Sequence, residues 1–325
     1  MKSAQIKRYG GSEVVEINES APEPIVSAGK VLVIVKAAGV NPADWKISEG
    51  YNQQMIQMQF PSTLEMDFSG VVKQIGEGVS SIRQGDEVYG QAAVFTGGSV
   101  AFAEMALANG DSIAHKPKSL SHVEAAALPL VGVSAWQALV ENIELSKDRK
   151  ILIHGGAGGI GSISIQLAKY LGAEVATTVD TKDRQFVQEL GANQVVDYKT
   201  QNFEDILHDY DAVLDTVGGE MYRRSFKVLK KGSMIVSMLE QPNSELMNHY
   251  GVKAIFEFTQ ANRERLTKLA QWVDQNNINI HVDKTFSVDE AGKALDYQKD
   301  IHPRDKEIST IQTFTTILAV AQQYH

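Results

Sequence analysis

Apolar positions along the chain follow two rhythms. Over residues 1 to about 120 they come in short β-branched runs, Val31-Leu32-Val33-Ile34-Val35 and Gly70-Val71-Val72-Lys73-Gln74-Ile75, punctuated by Gly10-Gly11, Gly76-Glu77-Gly78 and Gly97-Gly98. Runs of this kind between turn residues predict the strands of a small, irregular barrel. Gln84 to Gly90 reads as a turn feeding another strand, and Ala101 to Leu107 as one more. From His122 the texture changes to alanine-rich helix, Glu124 to Leu139, interrupted by Pro129. Proline has no N–H to donate and crowds the preceding turn, so a short helix, a kink at Leu128-Pro129 and a second helix are expected.

The second rhythm begins at Lys150. Apolar runs at Lys150–His154, Glu174–Val179, Gln194–Asp197, Ala212–Asp215, Met234–Met238 and Val252–Phe258 alternate with segments of mostly helical period: Ile160–Leu171, Asp183–Leu190, Phe203–Leu207 and Met221–Leu229. Strands separated by helices call for a doubly wound parallel sheet, because parallel neighbours need crossovers and helices fill them. Beyond it lie a long helix, Ala261 to Gln275, a strand and turn near Ile278 to Phe286, and a helix over Val288 to Leu295. The expected fold is α/β: a Rossmann-type domain over residues 123–259, inserted into a β-rich, barrel-like catalytic domain formed by residues 1–122 and 260–325.

Candidate chemistry concentrates where the first of these strands meets its helix. Gly156, Gly158 and Gly161 fit G-x-G-x-x-G within His154 to Gly161. One glycine serves a sharp turn, one lets backbone approach a pyrophosphate, one lets helix pack on strand, and the helix N-terminus faces the anion. The next strand ends in Asp180, nineteen positions beyond Gly161, near the spacing of a ribose-binding acid. Gly156, Ala157, Gly158, Gly159, Ile160 and Gly161 are therefore candidate cofactor residues, as are Thr178 and Asp180.

With 31 Lys and Arg against 40 Asp and Glu, the net charge of −9 argues against nucleic acid and against an anionic membrane surface as partners. The 325-residue chain contains no cysteine, so it has no disulfide, no thiolate nucleophile and no cysteine metal site. No apolar run reaches spanning length, and the N-terminal residues lack a signal-peptide core. A cytoplasmic protein is expected. His115, beside Lys116-Pro117, has no ligand-spaced neighbours and reads as a loop residue.

Several segments together resemble the zinc-independent branch of the medium-chain dehydrogenase/reductase superfamily, the quinone oxidoreductase-like proteins. They are Ala37 to Lys46, Asp67-Phe68-Ser69-Gly70, Gly85 to Gly90, Ala125 to Leu139, His154 to Gly161, Leu190-Gly191-Ala192 with Asp197-Tyr198, and Asp215-Thr216-Val217-Gly218-Gly219. The resemblance implies the inserted-domain architecture, a homodimer, and NAD(P)H-dependent reduction of a small quinone or enone. It also implies that Asn41 lies beside the nicotinamide, that Asn41, Asp44 and Tyr51 fall in the segment of hydrogen-bond donors, and that Ser134, Val217 and Met238 line the cofactor. Zinc-dependent relatives place a Cys ligand where this chain has Asn41, and Gly-His-Glu where it has Glu65-Met66-Asp67, so a Cys/His zinc cannot be built. Glu65 also replaces the glycine common in the zinc-free branch. After Arg304 the resemblance stops, and the β-branched tail to His325 reads as a strand or as disorder.

Alternatives remain open at this level. Asn41-Pro42 reads equally as a turn capped by the amide, and Ser134 as a helix cap. Trp45 reads as packing or as a wall of the substrate cleft, and Lys46 as solvated. Asp180 favours NAD, whereas Lys182, Arg184, Thr178 and Tyr198 favour NADP, the cofactor expected from the resemblance. Lys182 and Arg184 read otherwise as a solvated first turn. An enoyl-thioester reductase and a catalytically silent nicotinamide-binding redox sensor are the competing functions.

Overall fold

The computed structural model describes residues 1–51, 53–54, 58–92 and 101–300, together with the backbone of 317–320. The turn expected at Gly97-Gly98 lies outside them. Among the described residues two compact units emerge, one holding residues 1–130, 261–300 and 317–320, the other holding residues 131–260.

The first unit begins with β1 (Ser3–Ile6), β2 (Val15–Asn18), β3 (Lys30–Val40), α1 (Pro42–Ser48), β4 (Ser62–Thr63), β5 (Asp67–Ile75), β6 (Glu87–Gln91), β7 (Met105–Asn109), β8 (Ile113–His115) and α2 (His122–Ala126). The strand expected at Ala101–Leu107 is β7, which starts four residues later. β3 organises the unit. β5 lies antiparallel along one side of it, and β7 pairs with its first half, Lys30–Ile34. An unpaired half-edge would remain at Ala37–Val40. The chain covers that half-edge with the tail segment whose reading was open: Ile317–Val320 forms a strand parallel to β3 there. Apolar side chains of β3, β5, β6 and β7 fill the core around Phe68, Phe102 and Val88.

The second unit continues with α3 (Pro129–Trp136), which begins at the expected proline and runs into one π-type turn, Gln137–Asn142. Then follow β9 (Lys150–His154), α4 (Gly159–Tyr170), β10 (Glu174–Val179), α5 (Arg184–Glu189), β11 (Gln194–Asp197), β12 (Tyr210–Asp215), α6 (Gly219–Ser225), β13 (Leu229–Ser237), α7 (Ser244–Tyr250) and β14 (Lys253–Phe256). All six strands are parallel, in the order β11-β10-β9-β12-β13-β14. The order reverses between β9 and β12, the switch point at which such sheets open a crevice beyond the strand ends. The helix expected at Phe203–Leu207 is only a 3-10 turn, Phe203–Asp205.

The return to the first unit comprises α8 (Arg263–Asn276), β15 (Lys284–Ser287), α9 (Ala291–Asp300) and β16 (Ile317–Val320). The strand expected from Ile278 is confined to β15, which pairs with β16. The boundary between the units falls later than the change of texture at His122. The reason is that α2 packs on β3 and β5: a Cβ at Gly39 would lie 2.3 Å from the Ala126 carbonyl oxygen, so only glycine permits that approach. Among the described residues no helix is long and apolar enough to cross a membrane.

Candidate functional site

The glycine-rich turn joins β9 to α4 at the switch point. Its left-handed residue is Gly155 (φ 69°), one position before the motif, whereas Gly158 is the ordinary extended N-cap of α4. The sharp turn therefore belongs to Gly155, which the spacing alone did not single out. Gly156 and Gly161 are held by contact. A Cβ on Gly156 would meet Thr177 Oγ1 at 1.9 Å, and one on Gly161 would meet the Gly155 carbonyl oxygen at 2.1 Å. Gly159, Ile160 and Gly161 occupy the first turn of α4, where backbone N–H groups have no acceptor within the helix and the dipole favours an anion.

His154 fixes the base of this turn. Its Nε2 is 2.8 Å from Ser225 Oγ, and Ser225 Oγ donates to the Met221 carbonyl at 2.6 Å. Ser225 has spent its proton, so Nε2 carries the hydrogen. Nδ1 then accepts from Thr178 Oγ1 at 3.0 Å. Burial pushes the imidazole down to about 4, against a smaller opposing pull from Asp215. Thr178 thus turns its hydroxyl toward His154.

At the end of β10, Asp180 does not stand alone. Its Oδ2 lies 2.6 Å from Lys199 Nζ, and that partner holds the carboxyl below its ordinary range. Lys199 follows Tyr198, which is half exposed and whose ring the ammonium overlies at 6.0 Å. β10 and β11 run side by side, pairing Val179 with Asp197, so the residues after each are neighbours. Sequence reasoning passed over Lys199; strand order was the signal that could have found it. Lys182, which also acts on Asp180, and Arg184 are exposed.

Val217 follows β12 and Met238 follows β13, both at the same end of the sheet. Asp215 ties them together: Oδ1 accepts from the Val217 and Gly218 N–H groups, Oδ2 from Ser237 Oγ, and its carbonyl from Met238 N–H at 3.0 Å. Ser134 is not a helix cap. It sits inside α3, buried, with Oγ 2.6 Å from Thr259 Oγ1, and Gln137 one turn on bonds the backbone of Phe258 and Gln260. These contacts hold the segment after β14 against α3.

The first unit carries a buried polar cluster. Asn41 is the N-cap residue of α1, and the Asp44 carboxylate accepts its backbone N–H at 2.8 Å. The Asn41 amide points at Gly39 O (3.1 Å), Asp67 Oδ2 (3.2 Å) and Glu65 Oε1 (3.4 Å). Three acceptors converge on two hydrogens. Asp67 also accepts from Gln91 Nε2 (2.7 Å) and Leu130 N–H (2.9 Å). Burial raises all three carboxyls, Asp67 to about 7. Among the described residues no group of three His, Asp or Glu could hold a metal ion. The donor set is carboxylate and amide without thiolate or imidazole, and it does not suit the Cys/His zinc of the wider superfamily.

Tyr51 is not part of that cluster. It is 70% exposed, and its ring meets Trp45 edge-on at 5.7 Å. Trp45 is a packing residue: it is buried where α1 meets α9, with Lys299 Nζ 5.5 Å from its ring centre and Lys299 bonded to Glu49. Lys46 is half-buried beside the same ring, and desolvation lowers its affinity for the proton, so the fully solvated reading does not hold. His115 is an exposed residue at the end of β8.

Comparison with known proteins places the fold in a family. A family described as alcohol dehydrogenase GroES-like domain matches residues 27–118, and one described as zinc-binding dehydrogenase matches residues 190–305. A 2-methylene-furan-3-one reductase from Solanum lycopersicum is 33% identical over 91% of this chain and 76% of its own length. The quinone oxidoreductase structure from Coxiella burnetii superposes with a TM-score of 0.85 at 32% identity, covering 98% of each chain. Escherichia coli quinone oxidoreductase complexed with NADPH superposes with a TM-score of 0.83 at 25% identity, covering 98% of this chain and 100% of the other.

Proposed function

Because the chain belongs to the zinc-independent, quinone oxidoreductase-like branch of the medium-chain dehydrogenase/reductase superfamily, we propose that it reduces quinones or α,β-unsaturated carbonyls with NADPH. The observation that carries the reading is the glycine turn at the switch point, shaped by contacts that exclude any side chain at Gly156 and Gly161. Bound there, the nicotinamide cofactor supplies a hydride. The first turn of α4 would hold the pyrophosphate. Val217, Met238 and Ser134 would line the nicotinamide end, through the backbone that Asp215 and Thr259 order.

Lys199, Tyr198 and Lys182 support NADPH over NADH. Asp180 alone would repel a 2′-phosphate; paired to Lys199, much of that repulsion is offset, and the ammonium can serve the phosphate instead. The NADPH complex of a structural relative points the same way.

Acceptor chemistry follows from the donors the chain has. Hydride addition to an enone or quinone leaves an enolate or phenolate, which neutral hydrogen-bond donors stabilise. An alcohol oxygen would need a Lewis acid, for which the cluster around Asn41 has the wrong ligands. Tyr51, exposed, is the better donor to the developing oxyanion. The amide hydrogens of Asn41 are already drawn to Gly39, Glu65 and Asp67, so Asn41 would serve the site by the turn it holds rather than as the proton donor. The family's usual homodimer and a cytoplasmic location, the latter favoured by a cysteine-free composition, complete the proposal.

The test is oxidation of NADPH and NADH, side by side, with a quinone and a short 2-alkenal, with and without a chelator. Turnover that survives the chelator and favours NADPH is expected. Tight cofactor binding without turnover on either acceptor would overturn the reductase.

A further inference from the structure

Glu65 is the oddest residue of the buried cluster. It adopts a left-handed backbone (φ 80°) that glycine takes without strain and a side-chain-bearing residue does not. The turn is nevertheless pinned on both sides. Its carbonyl accepts from Ala101 N–H at 2.9 Å, and Met66 O accepts from Ala92 N–H at 2.8 Å. The side chain is 98% buried by the same fold (2% exposed) and put to use. Oε1 accepts from the Met66 and Asp67 N–H groups, at 3.0 and 2.9 Å, and faces the Asn41 amide. Oε2 is buried and finds no donor. A second carboxyl shares its enclosure: Asp44, equally buried, accepts the backbone N–H of the same Asn41 whose amide faces Glu65. Two carboxyl groups enclosed together away from water are stable when they share one proton, with one serving as donor to the other.

We propose that Glu65 is a positioning residue: as a neutral acid it donates to Asp44 and, through Oε1, holds the Asn41 amide hydrogens inward, so that the site works only while the pair keeps its proton. This rests on Asn41 being a site residue, as proposed above. The charged and titratable groups around Glu65 are Asp44 from α1 and Asp67 from β5, with Asn41 and Gln91 as neutral donors. His122 of α2, the helix packed on β5, bonds Ser69 and pairs with Glu87 instead. Burial and the two like charges all favour the neutral form of Glu65. Loss of the proton would place a second unshared charge beside Asp44, and the pair would have to separate, releasing Asn41.

Three forms of the full-length protein test this: the unaltered chain, Glu65→Gln and Glu65→Gly. Glutamine reproduces the neutral acid, with an acceptor for the two N–H groups and a donor for Asp44. Glycine suits the backbone and removes the side chain. In NADPH oxidation with a 2-alkenal, the unaltered protein should lose kcat reversibly on the alkaline side. Glu65→Gln should keep neutral-pH kcat within about twofold and lose that alkaline limb. Glu65→Gly should show kcat lower by about tenfold, with NADPH affinity falling by a smaller factor. An identical alkaline limb in Glu65→Gln, or full activity in Glu65→Gly, would overturn the proposal. Difference infrared spectroscopy at pH 8 decides the shared proton without turnover. A protonated-carboxyl band present in the unaltered chain and absent from Glu65→Gln supports it, and no such band refutes it. If neither acceptor is turned over, the reductase reading fails while the infrared result still stands.

Discussion

His154 makes the stability of the cofactor-binding unit depend on pH with a sign and size that follow from its burial. The imidazole is fully enclosed, hydrogen-bonded at both nitrogens as a neutral ring, and its affinity for a proton drops from 6.5 to about 4. In the unfolded chain the ring takes up a proton as pH falls through about 6.5; in the folded protein it does so only near 4. Between those limits the unfolded state binds more protons. Stability contributed by the neutral ring is therefore present above pH 6.5 and lost as pH falls toward 4. At about 1.4 kcal/mol per unit, the full window corresponds to about 3 kcal/mol. Asp67, raised to about 7, works in the opposite direction, since its neutral form favours the folded state at low pH and that contribution is lost as pH rises through about 7. A bare pH titration would mix the two.

The clean measurement is a comparison with His154→Gln, which removes the ring and keeps polar atoms. Urea unfolding, followed by hydrogen exchange of the β9 and β10 amides, should give a stability difference between the two proteins that widens by about 3 kcal/mol from pH 4 to pH 7. A difference that stays flat over that range, or narrows with rising pH, would refute the argument.

Other consequences are quicker to check. Gly161→Ala forces a Cβ to within 2.1 Å of the Gly155 carbonyl oxygen, so α4 must move off β9 and the NADPH dissociation constant should rise at least about tenfold, measured by fluorescence titration. Lys199→Ala leaves Asp180 unpaired, and the NADPH-to-NADH ratio of kcat/KM should fall about tenfold; Asp180→Ser should raise it, and an unchanged ratio in both would remove this pair from cofactor choice. Ser134→Ala strands the Thr259 hydroxyl and should cost about 1 kcal/mol in thermal or urea unfolding while leaving quinone specificity intact.

Much of this protein is legible without coordinates. The parallel sheet could be read because each β-branched run is bounded by helical period, and parallel strands admit few other connections. The glycine turn could be read because a strand that passes sharply into a helix packed against it needs glycines at a fixed spacing. The want of a thiolate zinc site needed only a count of cysteines. These features are local, or are repeated locally, and local chemistry survives in one dimension.

What remained hidden depends on residues far apart in the chain. Lys199 neutralises Asp180 only because strand order sets β11 beside β10. Ser134 faces Thr259 across 125 positions, and the tail strand Ile317–Val320 finds the half-edge that β7 leaves open on β3. Asn41, Asp44, Glu65 and Asp67 read as a turn and an irregular motif until the barrel buries them together. Burial is a property of the assembled fold, and burial is what makes those carboxyls hold a proton more tightly and makes His154 give one up.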